Sequence, residues 1–341
     1  MRIGLLIDPY KEESPGGLGR AIFEMARGIR AADHLNTYVV YTKKAMGVKS
    51  VFLQGAQNMD RTLDLYIFFT PITPLFFFPK RSIVVVHDFA YLEMPERSLK
   101  EKLNSAVLYC AHALSLWKAT KVIAVSETAK QSTIRHFGIN MEKIQVVYNG
   151  FITLPAELEP VPTPEHFFLF AGVLKERKNV SGIIRAFAIF AKHNGTHELL
   201  IAGKQGGAYA ESLVILAREL GMESRVRFLG YVTDGQLQYL YQKAQALVFA
   251  SFIEGFGMPI LEAMHAGLPV ITSNNGALAE VAGDAALLVN PFAPGDIAAA
   301  MSRIAGDASL RTELKEKGLH RARQFSWDEN ARRFIEVIHS I

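Results

Sequence analysis

Short apolar runs alternate with amphipathic stretches along the chain. In the first half, the runs at 3–7, 38–41, 65–69, 83–87 and 122–125 have the length and composition of buried strands. Between them, 18–31, 99–119 and 127–137 repeat apolar positions at helical spacing. The same rhythm restarts further on, with strands predicted at 167–171, 198–202, 226–229, 247–250 and 270–272. Helices are predicted at 180–192, 211–220, 234–243 and 259–266. Alternation of this kind predicts parallel sheets covered by helices on both faces.

The break between the two series sets the domain plan. Pro155, Pro160, Pro162 and Pro164 crowd one short polar stretch, which disfavours regular structure. The expected organisation is a Rossmann-like domain over 1–152, a linker over 153–165 and a second Rossmann-like domain over 166–325. An amphipathic helix over 326–341 ends the chain. A length of 341 residues, half of them hydrophobic, suits two domains with substantial cores.

Composition then narrows the function classes. No apolar run reaches the roughly 20 residues needed to span a bilayer, and the first run reads as a strand, not a signal peptide. Cys110 is the sole cysteine, which rules out an intrachain disulfide and a cysteine-based zinc site and suits the cytoplasm. The net charge of +4 is uneven: residues 1–150 carry 19 Lys+Arg against 13 Asp+Glu, and the remainder 18 against 20. A basic first half and a slightly acidic second half fit either attraction to an anionic surface or acidic substrate, or an ordinary solvated surface. Nothing resembles a nucleic-acid motif.

In open parallel sheets, ligands bind beyond the carboxyl ends of the strands, so the loops that follow strands carry the candidate chemistry. The densest candidate is Glu254-Gly255-Phe256-Gly257-Met258-Pro259-Ile260-Leu261-Glu262. Pro259 suits a helix start. The amides of Gly255, Phe256 and Gly257, near a positive helix end, combine with two carboxylates to suit the phosphates and hydroxyls of a sugar nucleotide. Arg177 and Lys178, just before a predicted helix, are placed to gather a diphosphate leaving group. Gly172 opens their loop, Gly203 follows another strand, and Tyr231 and Val232 follow a third. Asn274, Asn275 and Glu280 are assigned to shaping the same pocket. The first strand leads into Pro15-Gly16-Gly17-Leu18-Gly19-Arg20, where small residues let the backbone approach a phosphate or sugar. This is not the G-x-G-x-x-G of dinucleotide binders. His87 ends a strand, while His112 and His136 read as structural or surface residues. Phe76, Phe77 and Phe78 precede Lys80 and Arg81; burial in the first core is the favoured expectation, and contact with a membrane or lipid-linked acceptor the alternative.

The seven-residue spacing of Glu254 and Glu262 resembles the signature of the retaining glycosyltransferases of family 4. The segments Val122-Ile123-Ala124-Val125-Ser126-Glu127, Tyr148-Asn149-Gly150 and Gly283-Asp284-Ala285-Ala286 also look like that family's landmarks, in its order. The resemblance implies the GT-B fold, two Rossmann-like domains whose parallel sheets face an interdomain cleft, with the last helix crossing back to the first domain. It implies a nucleotide-diphosphate sugar donor, a saccharide or lipid-linked acceptor, and no cofactor or metal. Glu254 would hold sugar hydroxyls, Glu262 the ribose, and Lys178 the diphosphate; His87 would stand against the donor sugar. Gly16 and Gly17 would lie near the diphosphate and acceptor, and Tyr231 and Val232 near the base. Many members carry an arginine where this chain has Val173, and Arg177 is the expected substitute. The Arg177-Lys178-Asn179 form is similar to mannosyltransferases of bacterial polysaccharide synthesis, which suggests GDP-mannose. A cytoplasmic enzyme, with peripheral contact to an anionic membrane left open, completes the expectation. The rival readings are a catalytically silent sugar-nucleotide binder, a NAD-dependent oxidoreductase and a phosphorylase-like enzyme carrying pyridoxal phosphate.

Overall fold

The computed structural model describes residues 1–7, 17–42, 46, 51–95, 98–204 and 207–341. Gly16 and most of the loop after the first strand lie outside the described residues. The elements follow in the order β1 (Arg2–Ile7), α1 (Gly17–Ala32), β2 (Thr37–Thr42), α2 (Val51–Gln54), β3 (Leu65–Phe68), β4 (Ser82–Val86), α3 (Ala90–Glu93), α4 (Leu99–Lys118), β5 (Lys121–Ala124), α5 (Glu127–Phe137) and β6 (Ile144–Val146). After a stretch without regular elements come β7 (Phe167–Ala171), α6 (Val180–Ala191), β8 (Glu198–Ala202), α7 (Ala208–Glu219), β9 (Val226–Gly230), α8 (Asp234–Lys243), β10 (Ala246–Phe249) and α9 (Met258–His265). The chain ends with β11 (Val270–Ser273), α10 (Gly276–Ala282), β12 (Leu287–Val289), α11 (Pro294–Gly306), α12 (Ala308–Ala322) and α13 (Trp327–His339).

Two compact units result: Met1–Gly150 with Phe325–Ile341, and Phe151–Gln324. In the first, a six-stranded sheet runs β2-β1-β3-β4-β5-β6. Its strand pairs are parallel. Strands β3 and β4 are buried along their whole length, which is why they read as unbroken apolar runs. Helix α13 packs on α1. It is fixed by Asn330, whose amide donates to the Tyr148 carbonyl at 2.7 Å, and by Phe334 against Phe69.

The second unit holds another six-stranded parallel sheet, β12-β11-β10-β7-β8-β9. Strand β7 is central, and the order reverses on either side of it. This is the doubly wound arrangement, with its switch point between β7 and β10. Helices α6 and α11 pack together, and α6 buries Ile183, Ile184, Phe187 and Phe190.

The phenylalanine run corrects one expectation. Phe77 alone is buried, edge-on to Tyr66 with ring centroids 4.8 Å apart. Phe76 and Phe78 are exposed, and the Lys118 ammonium sits 3.7 Å from the Phe78 ring centre. Successive side chains in this irregular segment point in different directions, so one ring can fill the core while its neighbours face water.

His112 is buried on α4, with the Tyr91 hydroxyl 3.0 Å from its Nδ1. Burial pushes its ionisation down from 6.5 to about 4, against a small opposing pull from Asp88. Between those values the unfolded chain binds more protons than the folded one, so stability is lost as pH falls through the window. Urea denaturation should show the first unit losing about 2 kcal/mol between pH 7 and pH 5 from this residue. His112→Gln should flatten that slope; an unchanged slope would contradict the assignment.

Candidate active site

The loops after β7 and β10 leave adjacent parallel strands on the same edge of the second sheet, at its switch point. Residues 77 apart in sequence therefore meet, and Arg177 Nη1 donates to Glu254 Oε2 at 3.0 Å. The same nitrogen donates to the Ile253 carbonyl at 3.0 Å. Lys178 Nζ forms a second ion pair, with Glu254 Oε1, and lies 4.7 Å from the centre of the Phe249 ring. The Glu254 side chain is only 8 % exposed, Lys178 12 % and Arg177 26 %. A carboxylate so withdrawn from water requires paired charge. Val173, by contrast, is exposed and apolar, so that position supplies no cation.

Backbone geometry holds this cluster. The Phe252 amide donates to the Arg177 carbonyl at 2.8 Å, tying the two loops together. Asn179 then reverses the chain into α6 with φ 54°, the left-handed region that Asn adopts more readily than most residues. Its buried side-chain amide donates to the carbonyls of Ala250 at 3.0 Å and Pro291 at 2.7 Å. Lys178 is thus anchored by the residue that follows it. The sequence reading missed this role for Asn179; the available signal was an asparagine immediately before an apolar helix.

Around the cluster, Gly257 precedes α9 with φ 102°, and a Cβ there would meet Leu278 Cδ2 at 2.5 Å. Only glycine turns the chain here while leaving Leu278 in place. Phe256 is buried beside it, Gly255 lies in the same loop, and Pro259 occupies the first turn of α9. Glu262 follows on α9, with the Tyr241 hydroxyl 3.4 Å from its Oε2. Gly172 and Gly203 end neighbouring strands so closely that a Cβ on Gly203 would lie 2.0 Å from the Gly172 carbonyl oxygen. Tyr231, after β9, is exposed and not part of the core, and Val232 beside it is half-buried. Asn275 flanks the Glu254 loop, its amide 3.4 Å from the Phe252 carbonyl. Asn274 is exposed, and the Glu280 carbonyl accepts from Arg321 Nη2 at 2.7 Å.

Among the described residues, two of the predicted ones belong to the first unit. Gly17 begins α1. His87 follows β4, and its Nε2 lies 2.9 Å from the Phe69 carbonyl oxygen, to which Nε2–H donates. Burial lowers its ionisation below the ordinary histidine value, outweighing the opposing effects of the Phe69 carbonyl and Asp88. A neutral ring with its proton on Nε2 presents Nδ1 as an acceptor. Among the described residues, no group of three or more His, Cys, Asp or Glu is arranged to hold a metal ion.

Gly182 provides a direct check of the Asn179 anchor. A Cβ at 182 would fall 2.2 Å from Asn179 Oδ1. Gly→Ala in a helix ordinarily gains about 1 kcal/mol, whereas the overlap costs about 1–3 kcal/mol. Gly182→Ala should therefore lower the melting temperature; a rise would contradict the anchor.

Comparison with known proteins identifies the family. Residues 64–153 match the family model of glycosyltransferase family 4, and residues 157–321 that of glycosyl transferases group 1. The chain is 33 % identical over 270 residues to O-antigen chain mannosyltransferase B of Escherichia coli, covering 75 % of this chain and 70 % of that one. It is 30 % identical over 212 residues to O-antigen chain mannosyltransferase RfbU of Salmonella typhimurium, covering 62 % and 57 %. A match to the serotype-specific mannosyltransferase WbdA of Escherichia coli is 29 % identical over 76 % of this chain but spans only 33 % of that protein. Among solved structures, WaaG, a glycosyltransferase of lipopolysaccharide biosynthesis, aligns with TM-score 0.75 and 20 % identity over 98 % of this chain and 99 % of that one. HepE of Anabaena, solved with UDP and glucose, gives TM-score 0.75 and 20 % identity over the full length of both chains. The chain belongs to the family 4 glycosyltransferases, and it is a transferase enzyme with the GT-B fold.

Proposed function

We propose that this enzyme transfers mannose from GDP-mannose to a hydroxyl of a saccharide or lipid-linked acceptor, with retention of anomeric configuration and without a metal ion or cofactor. The observation that carries this reading is the joint grip of Arg177 and Lys178 on Glu254 at the switch point of the second sheet. The mannosyltransferase names of the related O-antigen proteins support the choice of sugar.

In this reading, breaking the bond between the anomeric carbon and the phosphate oxygen leaves negative charge on the β-phosphate. Arg177 and Lys178 face that charge as it grows, and so hold the transition state more tightly than the ground state. Arg177 takes the part that Val173 cannot. Glu254 accepts hydrogen bonds from sugar hydroxyls, and Glu262 from the ribose. Gly172 and Gly203 bring backbone close to the nucleotide, and Tyr231 and Val232 border the base. The amides of Gly255, Phe256 and Gly257 add donors. No protein nucleophile is assigned. The acceptor oxygen attacks on the face the phosphate leaves, and the departing phosphate takes the hydroxyl proton. We place the enzyme in the cytoplasm, as its lone, exposed, unbridged Cys110 suits. No helix among the described residues is long and apolar enough to cross a membrane.

A thermal-shift panel of nucleotide sugars tests the donor, since a ligand that binds only the folded state raises apparent stability. GDP-mannose should give the largest shift, and turnover should persist in a chelator. A larger shift with a uridine donor would overturn the base and sugar assignment. Lys178→Ala and Glu254→Ala should each lower turnover by at least about 100-fold while the circular dichroism spectrum is kept. Wild-type turnover in either variant would refute its role.

A further inference from the structure

We propose that Tyr241 is a positioning residue that aims the Glu262 carboxylate at the ribose; this rests on the reading that Glu262 binds that sugar. Tyr241 stands on α8. Its side chain is 1 % exposed, yet its hydroxyl reaches Oε2 of Glu262 on α9. The 3.4 Å separation is long for an O–H···O bond, whose ideal is about 2.7 Å. Hydrogen bonds of this kind in ligand-free sites commonly tighten once the substrate is bound. Burial, followed by the nearby charge of Glu262, holds the phenol's ionisation well above its ordinary value. The hydroxyl therefore stays protonated and can only donate to that carboxylate.

Two features make this more than packing. A phenylalanine would fill the same space, so the hydroxyl itself answers to a polar partner. That partner is a half-buried carboxylate at the second position of the Glu254–Glu262 spacing. A donor fixed on Oε2 stops the carboxylate from rotating about its last bond. Its oxygens then keep one direction toward a diol, in the way that outer-layer groups orient metal ligands. Helix α8 is itself held by a reciprocal cap, in which the Thr233 hydroxyl accepts from the Gln236 amide and the Gln236 side chain accepts from the Thr233 amide. The donor thus sits on a fixed element and not on a loop.

The experiment compares GDP with 2′,3′-dideoxy-GDP by calorimetry (UDP and its dideoxy form if the wild-type protein binds uridine instead). Tyr241→Phe removes one oxygen from a filled site. It should weaken GDP about 10-fold, leave the dideoxy ligand within about 2-fold, raise the donor KM in parallel and leave kcat nearly unchanged. Equal weakening of both ligands, or none of GDP, would overturn the proposal. Glu262→Ala separates the two levels. If it leaves the preference for GDP over the dideoxy form intact, the ribose reading fails. If it abolishes that preference while Tyr241→Phe does not reduce it, the positioning role alone fails.

Discussion

The site depends on a carboxylate that water scarcely reaches. Glu254 is held between Arg177 and Lys178, and removing either partner from a buried ion pair typically costs about 3–5 kcal/mol. That constraint works in both directions. The acid needs the two bases in order to be buried, and the bases are held in register by the acid. A pair of flexible cations on a solvated loop would lose rotameric freedom on meeting a phosphate. Here part of that freedom is already spent in the free enzyme. In the proposed reaction, a diphosphate competes with Glu254 for the two cations while Glu254 turns to the sugar.

The fold exists around this meeting. The loops that carry Arg177 and Glu254 are far apart in sequence and come together because β7 and β10 are neighbours at the reversal of strand order. The Arg177 carbonyl accepts from Phe252, and the Asn179 amide spans the carbonyls of Ala250 and Pro291. The strand ends and the turn into α6 therefore form one hydrogen-bonded frame. Gly257 and Gly203 lie where any side chain would strike Leu278 or the Gly172 carbonyl. Their smallness serves the same close approach of backbone to site.

Much of this was legible in the sequence. The strands at 167–171 and 198–202, and the helices at 127–137 and 234–243, have the bounds expected of them, because buried parallel strands and amphipathic helices write their period directly. The short edge strands β6 and β12 escaped, since three residues such as Ile144–Val146 or Leu287–Val289 carry too little pattern to separate from a loop. In the site, the Glu254–Glu262 spacing and the Arg177-Lys178 pair were visible as residue types in strand-following loops. Their mutual contact was not, because it depends on which strands are neighbours. The hydrogen bonds of Asn179 and the contact of Tyr241 with Glu262 were hidden for the same reason, since each reaches a partner tens of residues away, although an asparagine before an apolar helix was a signal for the first. The phenylalanine run at 76–78 misled, since apolar character gives no direction to individual side chains outside a regular element.

If Arg177 and Lys178 seat the β-phosphate of the donor, as proposed, removing both must cost GDP more affinity than GMP. The most direct measurement is the ratio of GMP to GDP dissociation constants in the wild type and in the Arg177→Ala/Lys178→Ala double variant. The wild type should favour GDP by about 100-fold or more, as two charge-assisted contacts imply, and the double variant should bring the ratio close to one through loss of GDP affinity alone. A double variant that keeps the wild-type ratio would place the phosphate elsewhere.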